Sequence, residues 1–429
     1  MAFKTLSIRG GTLIDPSQHL EGKYDLLLKD GRVAEVAAPG KLKGKADESI
    51  DARGLVVCPG LIDIHVHLRE PGQSHKETIA TGTLAAAAGG FTSVCCMPNT
   101  NPINDNPAIT RWMLDPERGA HVNVFPIGAA TLGSKGEQLT DFSMLKRAGA
   151  VAVTDDGKPI LHDAVMRQAL LGAGRLGIPV IQHAEDTTMT AGSMMNAGPT
   201  AFRLGLRGWP AEAESNLVER DIRLAAETRG HYHVAHLSTA AALKAVRKAK
   251  RDKLNVTCEV TPHHFVLLDE DVGDYQTNFK MNPPLRSRAD LEALLAGLAD
   301  GAIDCIATDH APHAANEKNQ EFDYAPFGIT GLETAVGLSI SVLHARNKIP
   351  LSRIIELLST NPARVMGLEG RGTLKVGSHA DLTIFDPAKK WAYVAAESKS
   401  KSKNSPFDGW KMQGRVAATV VGGSVKYRA

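Results

Sequence analysis

Eight short apolar runs, six of them ending in metal-ligand or hydrogen-bonding residue types, restrict the fold of this chain more than any other feature. They lie at 60–65, 92–97, 123–128, 150–154, 179–183, 231–236, 255–261 and 302–308. Rich in β-branched residues and too short for typical helices, they read as buried strands. Helical patterns lie between or after them, at 74–88, 163–176, 211–228, 239–250, 289–299 and 331–344, several opened by Ser, Thr or Asp as caps. Eight β/α units over about 310 residues predict a (β/α)8 barrel with insertions. A doubly wound open sheet is the competing fold, but neither GxGxxG nor a P-loop pattern is present.

The two ends have a different texture. Short strands punctuated by glycine occur at 5–8, 12–14, 25–29 and 32–37, and again within 372–385 and 414–427. Residues 1–54 and 371–429 are therefore expected to combine into one small β-domain flanking a barrel at 55–370. A chain of 429 residues suits one large barrel with such an accessory unit.

Composition narrows the function. With 49 basic and 47 acidic residues, the formal charge of +2 gives no electrostatic case for a nucleic-acid or membrane partner. No apolar run approaches the roughly 18–20 residues that span a bilayer, and residues 1–20 lack a signal-peptide pattern. Cys58, Cys95, Cys96, Cys258 and Cys305 sit in apolar strand-like runs without a CxxC. They read as reduced thiols of a cytoplasmic protein. The stretch KSKSKN at 399–404 reads as a solvated charged loop, and no internal repeat is found.

A barrel carries its chemistry at the C-terminal ends of its strands. Strand 1 ends in His65-Val66-His67, whose imidazoles share one face because strand side chains alternate. Strand 2 ends in MPNT at 97–100, strand 4 in TDDG at 154–157 and strand 5 in HAED at 183–186. Strand 6 ends in HLST at 236–239 and strand 8 in TDHAPH at 308–313. The donor set is thus His65, His67, His183, His236, Asp309 and one of Asp155 or Asp156. Nitrogen and carboxylate donors without thiolates suit a catalytic zinc site with open positions. Zinc would supply hydroxide near neutral pH, and Asp309 could touch metal with one oxygen and shuttle a proton with the other. His263 and His264, after strand 7, are candidate outer donors, and one of His231 and His233 is a candidate core histidine. Arg69 offers a planar fork to a carboxylate. Asn99 and Asn282 could bond a carboxylate or a ring amide. The polar stretch 311–327 is a candidate lid.

These residues fall in a pattern that resembles the bacterial type I dihydroorotases of the amidohydrolase superfamily. Its carriers are PGLIDIHVHLREPG at 59–72, MPNTNP at 97–102, TDDG at 154–157, HAED at 183–186, HLST at 236–239, EVTPHH at 259–264, KMNPPLR at 280–286 and ATDHAPH at 307–313. PFGITGLET at 326–334 and GTLKVGSHADLTIFDP at 372–387 extend it. The resemblance implies a distorted TIM barrel with a composite β-domain. It implies zinc-dependent reversible cyclisation of N-carbamoyl-L-aspartate to (S)-dihydroorotate in pyrimidine biosynthesis, with one or two ions per chain. His65, His67, Asp156, His183, His236 and Asp309 are then the metal ligands, and metal-bound hydroxide is the nucleophile. Asp309 is the general acid/base. Arg69, Asn99 and His313 hold the substrate carboxylate, Asn282 contacts the ring, and the loop before Pro326 closes over the ligand. Many relatives use a carbamylated lysine at the end of strand 4. Here that position offers Asp155-Asp156, so Lys158 is expected to remain unmodified. Related cyclic amidohydrolases (dihydropyrimidinase, allantoinase) and a non-catalytic partner of aspartate transcarbamoylase are the competing readings. The resemblance leaves open association with that transcarbamoylase and with further copies of the chain.

Overall fold

The computed structural model describes residues 5–429, so residues 1–4 of the expected N-terminal β segment lie outside the described residues. Eight parallel strand positions follow one another around a barrel: Leu61–Val66, Phe91–Cys96, Asn123–Pro126 with its continuation Gly128–Ala129, Val153–Thr154, Val180–Gln182, Tyr232–Val234, Val256–Val260 and Cys305–Ile306. The third position changes partners at Ile127. Ile127 N donates to Cys96 O on one side, and Gly128 N donates to Ala152 O on the other. The ring closes through a parallel bridge between Val66 and His310, with His67 N donating to His310 O at 2.9 Å.

Asp63 completes that closure from inside the wall. It accepts from Thr308 N and, at 2.6 Å, from Thr308 Oγ1, tying the first strand to the eighth. Burial pushes its carboxyl up to about 6 despite these bonds. The barrel interior is filled by Ile62, Ile64, Cys95, Met97, Ile127, Ala152, Ile181, Ala235, Cys305 and Ala307. Filling one mouth with apolar side chains leaves the polar strand ends at the other. All five cysteines are buried and unpaired.

Both ends of the chain enter a single eight-stranded sheet. Its order is Ser424–Arg428, Lys411–Val421, Leu382–Ala392, Val56–Pro59, Leu6–Asp15, Leu20–Lys29 and Arg32–Ala37, with Glu48–Asp51 also pairing to Leu6–Asp15. Leu6, Ile8, Leu13, Leu26, Leu382, Ile384 and Val420 form part of its separate core. Gly60 alone separates the sheet strand Val56–Pro59 from the barrel strand Leu61–Val66. A Cβ there would lie 2.1 Å from Thr92 Oγ1, so only glycine lets the chain pass from one layer to the other.

Three expectations need correction. The first helix begins at Ile79, because residues 74–76 form a turn and Thr78 caps the helix by accepting from Thr81 N. The helical pattern at 331–344 becomes an α-helix only over Ala335–Ser339, followed by π-helical turns over Ile340–Arg346. The KSKSKN stretch is not simply solvated. Lys399, Lys401 and Lys403 face outward, but Ser398, Ser400, Ser402 and Asn404 are buried. Ser400 Oγ donates to Glu77, Ser402 Oγ to Lys76 O, and Asn404 Nδ2 to Ala311 O and Gly328 O. Strand-like alternation lets the segment pack as a strap over the barrel mouth. Among the described residues, no helix is long and apolar enough to cross a membrane.

Candidate functional site

At the polar mouth, Asp156 stands among four imidazoles. Its Oδ2 lies 3.5 Å from His65 Nε2 and 3.6 Å from His67 Nε2. Its Oδ1 lies 3.5 Å from both His183 Nδ1 and His236 Nε2. Two sets of donors that could each hold a metal ion therefore share one carboxylate: His65, His67 and Asp156, then Asp156, His183 and His236. Asp309 reaches the first set from the eighth strand, with Oδ1 3.0 Å from His67 Nε2 and 3.7 Å from His65 Nε2. All six side chains are buried.

The donor chemistry fits a divalent cation. His65 Nε2 and Asp156 Oδ1 are fully buried yet have no hydrogen-bond partner, an arrangement that costs free energy unless something else satisfies them. His65 is oriented from behind, its Nδ1 being 2.6 Å from Glu259 Oε1. Glu259 is in turn braced by His233 Nε2 at 3.2 Å. Burial would raise the Glu259 carboxyl, but His65 and His233 hold it below the ordinary carboxylate range. Glu185 does the same for His183, with Oε2 3.1 Å from Nε2. Carboxylates behind ligating imidazoles are a common device for fixing tautomer and ring orientation.

The structure separates the two aspartates that spacing left open, and the one brought to the cluster is Asp156, which the resemblance implies. Asp155 turns away and accepts from Thr131 N and Oγ1, whereas Asp156 joins the cluster. Lys158 is exposed. His264 is consumed by Thr261 Oγ1 and Pro283 O, and neither it nor His263 enters the donor sets. His233 is the buried core histidine of strand 6.

A cavity of about 340 Å³ opens above the cluster, within the usual range for a small-molecule site. Arg69, Asn99, Asn282 and His313 line it beside His67, Asp156, His183, His236 and Asp309. Arg69 is buried, and its Nε donates to Pro312 O at 3.1 Å rather than pairing with Glu70 or Glu77. Asn282 Nδ2 donates to Glu185 Oε2, while its Oδ1 is buried without a partner. Asn99 has a task the sequence did not suggest: its Oδ1 lies 2.8 Å from His67 Nδ1 and orients that ring. His313 Nε2 lies 2.9 Å from Phe327 O and 3.3 Å from Arg69 Nη2. Burial, together with the charge of Arg69, pushes its imidazole down to about 2, so the ring is neutral. Arg69, His236 and Asp309 all have positive φ, at 61°, 29° and 46°. Such residues cost about 1–3 kcal/mol each and persist where their surroundings over-determine them.

Glu259, Glu185 and Asn404 are the supporting residues that sequence reasoning missed. Glu259 carried a signal, because it is a charged residue inside an otherwise apolar strand. Asn404 carried none, since its partners Ala311 and Gly328 lie 93 and 76 residues away in sequence.

Fold and site together define an amidohydrolase barrel with a β-sheet appendage. The same fold occurs in the L-hydantoinase (dihydropyrimidinase) of Arthrobacter aurescens, with a TM-score of 0.88, 24% identity, and coverage of 99% of this chain and 96% of that one. The D-hydantoinase of Bacillus sp. AR9 gives a TM-score of 0.84 at 25% identity, covering 99% and 95%. A family model described as dihydro-orotase-like matches residues 54–242. The chain is 51% identical over 425 residues to the dihydroorotase of Citrifermentans bemidjiense, covering 99% of this chain and 100% of that one. It is 50% identical over 421 residues to the dihydroorotase of Solibacter usitatus, covering 98% and 97%. The chain belongs to the dihydroorotase family.

Proposed function

We propose that this protein is a zinc-dependent dihydroorotase of the cytoplasm, closing N-carbamoyl-L-aspartate to (S)-dihydroorotate and opening it again in pyrimidine biosynthesis. The observation that carries the reading is Asp156 among four buried imidazoles, beneath a cavity that presents Arg69. His65, His67, Asp156, His183, His236 and Asp309 would hold one or two ions. A bound cation there would polarise the ring carbonyl and lower the pKa of water.

The chain's own groups do the rest. Arg69, fixed through Nε, points its remaining guanidinium donors at the substrate carboxylate. Asn99 gives its Oδ1 to His67 and keeps its amide N–H groups for the same carboxylate. Asn282 is anchored through Nδ2, so its free Oδ1 accepts from a ring N–H. The neutral His313 adds the last side of the carboxylate pocket. Asp309 keeps Oδ1 near His67 and carries the proton on its second oxygen, giving it to the ring nitrogen on opening and taking it back on closure. Glu259, Glu185 and Asn99 hold the imidazoles in place throughout.

The solved neighbours are hydantoinases, which makes another cyclic amide the alternative substrate. Buried Arg69 favours a substrate with a free carboxylate. Association with aspartate transcarbamoylase, or with further copies of the chain, belongs to the same proposal without being required by it.

The deciding assay is hydrolysis of dihydroorotate by the purified protein before and after chelation, with zinc restored. Activity lost on chelation and regained with zinc is expected. Turnover of dihydrouracil or hydantoin in preference to dihydroorotate would sink the substrate assignment. Closure converts a carboxylate into an amide and consumes one proton. The equilibrium ratio of dihydroorotate to carbamoyl aspartate should therefore fall about tenfold per pH unit as pH rises. A flat ratio between mildly acidic and alkaline buffers would contradict that stoichiometry.

A further inference from the structure

Two buried lysines lie behind the cavity wall formed by Pro326, Phe327 and Gly328. Lys318 and Lys280 are 5% and 2% exposed. Lys318 Nζ donates to three backbone carbonyls, Pro326 O at 2.9 Å, Gly328 O at 3.1 Å and Lys280 O at 3.3 Å, a set of acceptors that favours the ammonium although burial and the charge of Lys280 push it down to about 7. Lys280 Nζ donates to Phe322 O and Asp323 O, and sits 4.6 Å from the centre of the Phe327 ring. Long charged side chains are rarely this buried, and both of these spend their donors on main-chain oxygens, all but Lys280 O lying within 322–328.

That segment shapes the substrate side of the cavity. Phe327 O is the partner of His313 Nε2, and Gly328 N donates to Lys280 O, two residues before Asn282. A Cβ at Gly328 would stand 3.2 Å from His313 Nε2, so the wall and the imidazole are in close contact. By contrast, the side chains of residues 319–321 and 323–324 are exposed, with Tyr324 at 75%. The segment thus has an exposed tip, anchored through Phe322, and a base whose carbonyls are held by the two lysines.

We propose that Lys318, assisted by Lys280, is a positioning residue for the reaction: its ammonium gathers the carbonyls of Lys280, Pro326 and Gly328 and so sets His313 and Asn282 against the substrate. Three converging carbonyls need three N–H donors from one atom, which an ammonium supplies and a planar guanidinium does not. Neither lysine touches the metal cluster, so the effect is confined to the organic half of the site. The inference rests on the dihydroorotate reading of the cavity.

Three variants test it in the metal-loaded full chain. Lys318→Met keeps length and removes the charge. It is expected to raise KM for dihydroorotate by about tenfold or more, with a smaller change in kcat and unchanged metal content. Lys318→Ala should show the same defect and recover part of it when propylammonium, the fragment removed, is added, but not with tetramethylammonium. Chymotryptic cleavage at Tyr324 should be about tenfold faster in both variants, because the base of the loop is released. Should Lys318→Met fail to fold, Lys318→Arg carries the test, with KM raised about threefold by the mismatched planar donors. KM within about twofold of the parent in the folded variants, with cleavage at Tyr324 unchanged, would overturn the proposal. If the parent protein does not turn over dihydroorotate, the proposed function fails, and the cleavage rates alone still decide whether Lys318 fixes the wall.

Discussion

On one side of the cavity, six side chains stand at the ends of barrel strands and converge on a space shared through Asp156. On the other side, the wall belongs to a loop at 311–328, backed by a strap at 398–404 whose Asn404 bonds that loop, and neither contains a regular strand. The first side uses the periodicity of the barrel, because a strand that ends in a buried mouth must aim its last residues there. The second side uses small polar side chains and two lysines to bind stray backbone carbonyls. Ligand geometry is thereby tied to the barrel strands, and substrate geometry to a part held by individual hydrogen bonds. Mutations on the two sides should fail differently, the first in metal content and kcat, the second in KM.

The largest effect is expected at Asp156. Asp156→Asn removes the charge shared by both donor sets, and activity should drop by about a thousandfold or more, with lower zinc content in the purified protein. Near-normal zinc and turnover would break the comparison at its strongest point. Next is Glu259→Gln, which leaves His65 with a weaker partner and should cost about 10–100-fold in metal affinity or activity. Zinc titration separates this from a folding defect. Asn404→Ala is the mildest. His313 N, Ala311 O and Gly328 O each lose a partner, a penalty of about 1–3 kcal/mol. It should appear as a several-fold rise in KM with full metal content. A loss of zinc in Asn404→Ala would show that the two sides are not independent.

How far each side could be read from sequence follows the same division. His65, His67, His183, His236 and Asp309 were legible because they close apolar runs, and a strand end has one place to point. The choice between Asp155 and Asp156 was not legible from spacing, since it turns on Thr131 capturing the first of them. Asn99 was read toward substrate only, because nothing local reveals that it also faces His67. The strap looked like a solvated basic loop because its lysines are conspicuous and its serines are not. Ser400 finds Glu77 across 323 residues of chain, a distance at which composition says nothing. The buried lysines were hidden in the same way, their acceptors being backbone atoms.

The sheet built from both ends of the chain has a consequence for synthesis. The strand Leu6–Asp15 is made early, yet its sheet is completed only by Leu382–Ala392 and Lys411–Val421. At about 5–20 residues per second, the early hairpin waits on the order of half a minute on the ribosome for its neighbours. During that interval the edge of Val56–Pro59 that will pair with Leu382–Ala392 is open, and an open edge is a template for wrong partners. The barrel strand that carries His65 continues directly from that edge strand. Truncation before Leu382 should therefore leave that edge open next to the strand that carries His65, and yield fragments prone to wrong pairing.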